Sequence, residues 1–185
     1  MKLKLLSEND LSILKDKWIK SLKTTDHPVF LTEYLQIFNL ILATGCWDEL
    51  HKCLNKPTYI CIVDKHDEVW AIIQIVQTKN GSAVWIKMLD IYLSPKIETE
   101  PDNEINTKKR LEVFGSALIG IFKLTSQIGR ADTVKVYGRT DALITFLRGM
   151  HDTFSVLTSL GTISGIEIAI EGRWLVFHAL EGPIN

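Results

Sequence analysis

The stretch KKRLEVFGSALIGIF, residues 108–122, contains the first residues whose types and spacing could do chemistry. Gly115 and Ala117 stand where a helix is predicted to begin, after an extended segment and a long polar loop. A helix N-terminus attracts phosphate because its first N–H groups are unpaired and its dipole is positive there, and glycine lets the backbone approach a ligand closely. The pattern fits two interpretations: a loop that holds a pyrophosphate, or a helix that packs closely against a sheet.

Polar residues on a predicted strand are a second place for chemistry. In LDIYLSP, Leu89, Ile91 and Leu93 alternate with Asp90 and Tyr92. Because successive side chains of a strand point to opposite faces, Asp90 and Tyr92 are expected to share the face away from the three apolar residues.

Arg139 follows KVYG, at the end of another predicted strand. Ligands of open α/β sheets favour the carboxyl ends of strands. Arg139 is therefore a candidate partner for a phosphate or an acidic ligand, and a salt bridge to Asp141 or Glu112 is the alternative.

The length, composition and net charge of the chain restrict the class of protein. A chain of 185 residues predicts one domain, residues 1–185, with a substantial core. Hydrophobic residues make up 46% and charged residues 23%, as in ordinary soluble proteins, and a net charge of -1 gives no attraction to nucleic acid or to an anionic membrane. We therefore expect neither as a partner.

The cysteines and the first residues bear on location. Cys46, Cys53 and Cys61 have neither C-x-x-C spacing nor paired histidines, so no metal site is predicted, and their odd number argues against a secreted disulfide framework. The polar opening MKLKLLSENDLSILK is unlike a signal peptide, and no apolar run approaches the ~20 residues of a membrane helix. These features predict a cytoplasmic protein.

The first third of the chain is predicted to be a strand and two helices. KLKLLS alternates in polarity, and Ser7 with Asp10 three residues later predicts a capped helix. The apolar stripes expected on the two helices are Leu11, Leu14, Trp18 and Leu22, and then Leu31, Tyr34, Leu35, Phe38 and Leu42. A short helical turn is expected in WDELHKCL.

The remainder alternates between strand and helix patterns. TYICIVD, EVWAIIQIVQT and SAVWIKMLDIYLS predict three antiparallel strands, with a tight turn at Asn80-Gly81. After Pro95 we expect a long polar loop, then a helix from Arg110 to Ile128, the strand TVKVYGR, the helix TDALITFLRGMH and a final hairpin turning at Glu171-Gly172. The order predicts a mixed sheet with helices on both sides and one parallel crossover between residues 83 and 138.

This order resembles that of the GCN5-related N-acetyltransferase (GNAT) family over nearly the whole chain. KLKLLSENDLSIL is similar to the family's first strand and helix, LDIYLSP to the end of its fourth strand, and ALITFLRGMHDTF to its penultimate helix. The resemblance implies an α/β acyl-CoA N-acyltransferase fold: a mostly antiparallel central sheet, flanking helices and a parallel strand pair that splays apart.

The resemblance also implies a set of ligand-binding residues. The family's pyrophosphate loop reads Gln or Arg, two residues, Gly, one residue, Gly or Ala, and it aligns with residues 112–117, where Glu112 replaces the Gln or Arg. A helix–sheet contact at Gly115 and Ala117 stays open as the alternative. The residues expected to bind acetyl-CoA are Ile91, Leu93, Arg110, Val113, Phe114, Gly115, Ser116, Ala117 and Arg139.

By the same resemblance Asp90 is the candidate base for the amine, with a purely structural carboxylate as the alternative. The tyrosine that many family members carry on the penultimate helix aligns with Phe146, which cannot donate a proton. Tyr137 is the expected substitute acid, Tyr92 is a second candidate, and packing is the alternative role for both.

The implied function is transfer of an acetyl group from acetyl-CoA to an amine or protein acceptor. The alternative is an inactive protein on the same fold that acts in an interaction or assembly, favoured by Glu112, by Phe146 and by the long polar loop. The Lys- and Ile-rich composition suits a divergent, bacteriophage-encoded member, located in the host cytoplasm or the virion. A homodimer or an assembly partner is compatible with either function, and the sequence does not identify the acceptor.

Overall fold

The computed structural model describes residues 1–24, 28–48, 52–99, 103–128, 131–160 and 165–180. They form seven strands and five helices: β1 (Lys2–Leu5), α1 (Glu8–Thr24), α2 (Pro28–Thr44), β2 (Pro57–Val63), β3 (Val69–Asn80), β4 (Ala83–Leu93), α3 (Pro95–Glu98), α4 (Glu104–Ile128), β5 (Thr133–Tyr137), α5 (Asp141–Ser159), β6 (Ile166–Glu171) and β7 (Trp174–Ala179).

The strands form one sheet in the order β1-β2-β3-β4-β5-β7-β6. β4 and β5 pair in parallel, and every other neighbouring pair in the described residues is antiparallel. The fold class predicted from the sequence, a mixed and mostly antiparallel sheet flanked by helices, is confirmed, as is the parallel crossover through α4.

Helices cover the sheet on both faces because alternate residues of the strands are apolar on both sides. One face packs on α4 and α5 and forms the first core, which includes Ile73, Ile86, Val113, Ala117 and Leu147. The other face packs on α1 and α2 and forms the second core, which includes Leu11, Trp18, Phe38, Ile72 and Tyr92.

The beginning of α1 follows the predicted cap. The Asp10 backbone N–H donates to the Ser7 hydroxyl (3.1 Å), and the Ser7 N–H and hydroxyl donate to the Asp10 carboxylate. These reciprocal bonds satisfy donors that a helix N-terminus leaves unpaired. The four residues of the predicted stripe, Leu11, Leu14, Trp18 and Leu22, are all buried.

The stripe predicted for α2 is partly wrong. Tyr34, Phe38 and Ile41 are its buried residues, whereas Leu35 and Leu42 remain 37% and 38% exposed. The helix is apolar nearly all round, so periodicity alone did not identify which side packs against α1 and the sheet.

Both predicted hairpin turns lie one residue later than expected. The closing pairs are Asn80 with Ala83 and Glu171 with Trp174, so Gly81 and Gly172 are the first residues of the loops. Both have positive φ, +64° and +63°, which glycine adopts without strain.

The predicted polar loop after Pro95 is largely helical, which is a correction. α3 begins directly at Pro95, and α4 begins at Glu104, six residues before the predicted start at Arg110. The Asn103 side chain accepts a hydrogen bond from the Asn106 N–H (2.9 Å), as an N-cap residue does. The predicted turn in WDELHKCL lies partly outside the described residues.

The cysteines differ from the expectation. Cys46 and Cys53 form a disulfide that links the end of α2 to the segment before β2, and Cys61 is a buried free thiol. An odd number of cysteines argues against a framework in which all of them are paired, but it does not exclude one disulfide. Among the described residues, no helix has the length and apolarity to cross a membrane, and no group of three or more metal-binding side chains occurs.

Candidate functional site

A β-bulge in β4 opens the centre of the sheet. Met88 lies opposite Ile75 and Asp90 opposite Gln74, so Leu89 is the extra residue. The ladder between β4 and β5 runs from Trp85 to Met88 of β4 and stops at this bulge. Because a bulge bends its strand and interrupts pairing, the ends of β4 and β5 diverge, as the sequence resemblance predicted.

The bulge also sets the direction of the side chains that follow it. Ile91 and Leu93 pack against the first core, whereas Tyr92 belongs to the second core. Asp90 alternates with Ile91 and therefore shares the face of Tyr92, as the sequence predicted.

A cleft of about 680 Å³ lies between the diverging strands and the helices. Residues 90–93 of β4 form its floor, α4 and α5 form one wall, and α2 and α3 form the other. The wall of α4 and α5 includes Arg110, Phe114, Leu143 and Phe146; the wall of α2 and α3 includes Glu33, Tyr34 and Glu98; Arg139 and Thr140 lie at the end of β5.

Asp90 is the carboxylate at the floor, with its side chain 11% exposed. It accepts hydrogen bonds from the Ile91 N–H (3.0 Å) and from the Arg139 guanidinium, whose own side chain is 62% exposed. The hydrogen bond and the charge of Asp90 raise the pKa of Arg139. The predicted alternative partners of Arg139 are engaged elsewhere: Asp141 pairs with Arg173, and Glu112 with Lys109.

The turn after β5 holds Arg139 over the cleft. Arg173 donates to the carbonyls of Gly138 (2.6 Å) and Arg139 (3.1 Å). A β-carbon added to Gly138 would lie 2.8 Å from the Ile144 Cα, so α5 approaches the strand end as closely as only glycine permits. Thr140 caps α5 by accepting from the Leu143 N–H (3.1 Å).

Two buried tyrosines border the cleft. Tyr34 donates its hydroxyl hydrogen to the Leu93 carbonyl, and burial raises its pKa well above the ordinary value. Tyr92 is only 8% exposed, and its hydroxyl has no hydrogen-bond partner among the residues that the structure describes. Burial, with the charge of Asp90 as a smaller cause, raises the pKa of Tyr92, so this hydroxyl stays protonated and is available as a donor.

The structure does not bring Tyr137 into the cleft. Val134 and Val136 of β5 lie in the first core, and Tyr137 alternates with them. Its ring packs 4.8 Å from the ring of Trp174 on β7, and it is not among the residues that line the cleft.

The predicted pyrophosphate loop needs a correction as well. Residues 113–117 lie in the interior of α4, where backbone N–H groups are bonded within the helix and none is free for a phosphate. Val113 and Ala117 are fully buried in the first core, and Ser116 lines a different groove beside β1. A β-carbon on Gly115 would meet nothing within 4 Å, so close packing does not explain this glycine either.

Of the predicted ligand-binding residues, Ile91, Leu93, Arg110, Phe114 and Arg139 do line the cleft. Phe146, at the position of the family's tyrosine, also lines it, and its ring packs edge-on at 4.9 Å from Phe114. Sequence reasoning missed Glu33, Tyr34, Glu98 and Leu143. Their patterns are those of ordinary helices, and only the tertiary packing shows which of their faces borders the cleft.

No protein-family model matches this chain, and no curated protein matches it. Solved structures give weak similarities. A histone acetyltransferase-related acetyltransferase from Corynebacterium glutamicum has 8% identity and a TM-score of 0.48, with 98% of this chain and 96% of that chain covered.

A probable acetyltransferase has 13% identity and a TM-score of 0.46, with 92% of this chain and 99% of that chain covered. An aminoglycoside 6'-N-acetyltransferase complexed with coenzyme A has 12% identity and a TM-score of 0.39, with coverages of 96% and 95%. Because these sequence identities and TM-scores are too low to support a functional argument, the proposed function depends on the residues of the cleft.

Proposed function

We propose that this protein transfers an acetyl group from acetyl-CoA to an amine acceptor at the cleft between β4 and β5. The observation that carries the proposal is the Asp90 carboxylate, whose side chain is 11% exposed, on the floor of a cleft that the bulge at Leu89 opens. An acid–base group beside a partly apolar cavity is the arrangement expected of an active site.

The cleft fits the thioester and pantetheine arm of acetyl-CoA better than its phosphates. Leu143, Phe114 and Phe146 form an apolar wall suited to the thioester and the pantetheine arm, and β4 beyond Met88 has no pairing with β5, which leaves that edge for the pantetheine amides. The phosphates would lie near Arg110, since residues 113–117 offer no free N–H groups and Arg139 is paired with Asp90 at the reacting end of the cleft.

In the proposed reaction, Asp90 accepts a proton from the acceptor ammonium, and the neutral amine attacks the thioester carbonyl. A carbon–nitrogen bond forms, and the nitrogen then loses its second proton to solvent. The carbon–sulfur bond breaks, the CoA thiolate leaves and takes a proton from solvent, and Asp90 releases its proton to solvent. Tyr92, rather than Tyr137, donates a hydrogen bond to the carbonyl oxygen as its negative charge develops. Arg139 keeps the Asp90 carboxylate in place until the amine arrives.

The test is calorimetric titration with acetyl-CoA of the unmodified protein and of two variants on α5. Ala142→Trp fills the cleft, and Thr145→Trp adds the same side chain at an exposed position that does not line it. Micromolar binding that only Ala142→Trp abolishes, followed by acetylation of an amine, is the expected result. The proposal is rejected if both variants bind acetyl-CoA equally, or if the unmodified protein does not bind acetyl-CoA at millimolar concentrations.

The second candidate function is that of a non-catalytic interaction or assembly protein on the same fold, for example a virion component. Its supporting observation is that the residues aligned with the pyrophosphate loop are helical and that Asp90 is already paired with Arg139. It predicts no acetyl transfer to any amine, and fold by itself does not exclude it.

A further inference from the structure

The wall formed by α2 and α3 is the acidic side of the cleft. Glu33 and Glu98 both line it, both are exposed, and neither forms an ion pair within the described residues. Burial is the main cause of the raised pKa of Tyr34, and the charges of Glu98 and Glu33 add to it. Tyr34 lines the same wall and donates its hydroxyl hydrogen to the Leu93 carbonyl at the end of β4, which joins this acidic wall to the cleft floor.

The opposite wall has no carboxylate among the described residues that line the cleft. Leu111, Phe114, Leu143 and Phe146 are apolar, and Arg110, which repels a positive group, reaches across to α3 and donates to the Ile97 carbonyl (2.9 Å). A ligand with an apolar stem and cationic ends would therefore direct a charged end toward α2 and α3.

Tyr92 supplies an independent indication of a ligand. Its side chain is more than nine-tenths buried, since only 8% is exposed, and it lines the same cleft next to Asp90. Within the described residues, its hydroxyl has no hydrogen-bond partner. Buried polar groups are nearly always satisfied, so a polar ligand atom at the cleft floor is the natural partner.

We infer that the acceptor is an aliphatic diamine, with the reacting nitrogen at Asp90 and Tyr92 and a second ammonium held by Glu33 and Glu98. This rests on the proposed function for the identity of the reaction, but not for the binding of the diamine. A monoamine of the same length satisfies Asp90 alone and leaves both glutamates without a counter-charge.

The test compares two probes, 1,6-diaminohexane and hexylamine, in calorimetric titrations without acetyl-CoA. The diamine is expected to bind about tenfold more tightly than the monoamine, because it gains an additional charge interaction. Glu33→Gln and Glu98→Gln should each weaken diamine binding by about threefold to fivefold and leave hexylamine unchanged. The matched control is Glu167→Gln, which removes an exposed carboxylate of β6 outside the cleft.

Equal affinity for the two amines would overturn the inference, and so would equal effects of all three substitutions. A lysine peptide that binds while the diamine does not would also overturn it.

The two proposals can fail separately. If acetyl-CoA binds but the protein does not prefer the diamine, the inference fails and the proposed function remains. If the protein prefers the diamine but does not bind acetyl-CoA, the proposed function is rejected and the diamine-binding site is still supported.

Discussion

At the scale of single residues, one carboxylate can organise a whole turn, as Asp64 does between β2 and β3. It accepts hydrogen bonds from the Trp70 indole (3.1 Å) and from the N–H groups of His66 (2.8 Å) and Glu68 (3.1 Å). These bonds, the indole bond most of all, favour the charged carboxylate and lower the pKa of Asp64 from 3.8 to about 2. Asp90 has the same role in the cleft, where it accepts hydrogen bonds from the Ile91 N–H and from the exposed Arg139 guanidinium.

The lowered pKa of Asp64 predicts a pH dependence of stability. A group whose pKa is lower in the folded state stabilises the protein above its unfolded pKa, and this contribution is lost as pH falls from about 4 toward 2. The difference in the free energy of unfolding between the unmodified protein and Asp64→Asn should therefore be largest near neutral pH and shrink through that window. Urea unfolding at a series of pH values measures it.

The control for this experiment is Asp67→Asn in the same turn. Asp67 accepts none of the three hydrogen bonds, and its only ion pair within the described residues is with the exposed Lys2. If the difference in the free energy of unfolding between the unmodified protein and Asp64→Asn is constant between pH 7 and pH 2, the hydrogen bonds are not the cause of a lowered pKa of Asp64.

At the scale of elements, residues 113–117 lie inside α4, so their backbone N–H groups are bonded within the helix. Gly115 lies inside the helix with open space around it, whereas Gly120 lies against β1, where an added β-carbon would be 2.3 Å from the Leu3 Cγ. The same helix thus contains one glycine that nothing in the structure requires and one that allows β1 to approach.

The two glycines predict opposite effects. Gly115→Ala should raise the free energy of unfolding by about 0.5 to 1 kcal/mol, because alanine is the better helix former and meets no neighbour. Gly120→Ala should lower it, since Leu3 and β1 must shift. Thermal or urea unfolding gives both values. Destabilisation by Gly115→Ala, with loss of acetyl-CoA binding, would instead indicate a ligand loop at this position.

At the scale of the whole molecule, two helical layers and one sheet meet at the cleft, and the Cys46–Cys53 disulfide fixes the chain between α2 and β2. α2 supplies Glu33 and Tyr34 to the cleft. A covalent link after its last turn therefore limits the motion of the proposed acceptor wall.

The disulfide predicts a thiol count. Of the three cysteines, two are paired, so the protein unfolded without reductant should expose one reactive thiol, and three after reduction. Reduction should also lower the free energy of unfolding by about 2 kcal/mol, the value expected for so short a loop. Thiol titration in denaturant gives the count, and Cys61→Ala should reduce it to none before reduction. Three thiols in the non-reduced protein would rule out the disulfide.

The order of the strands and of the four long helices, the cap and buried stripe of α1, the antiparallel strands β2, β3 and β4 and the mixed sheet could be predicted from the sequence, whereas the short α3 could not. These follow from local signals, namely periodicity, turn residues and capping pairs, which act over a few neighbouring residues. The tertiary structure alone decided the bulge at Leu89, the pairing of Asp90 with Arg139, the unpartnered hydroxyl of Tyr92 and the disulfide. Each of these depends on which strand or helix meets another across the sheet, and no local pattern encodes such long-range contacts.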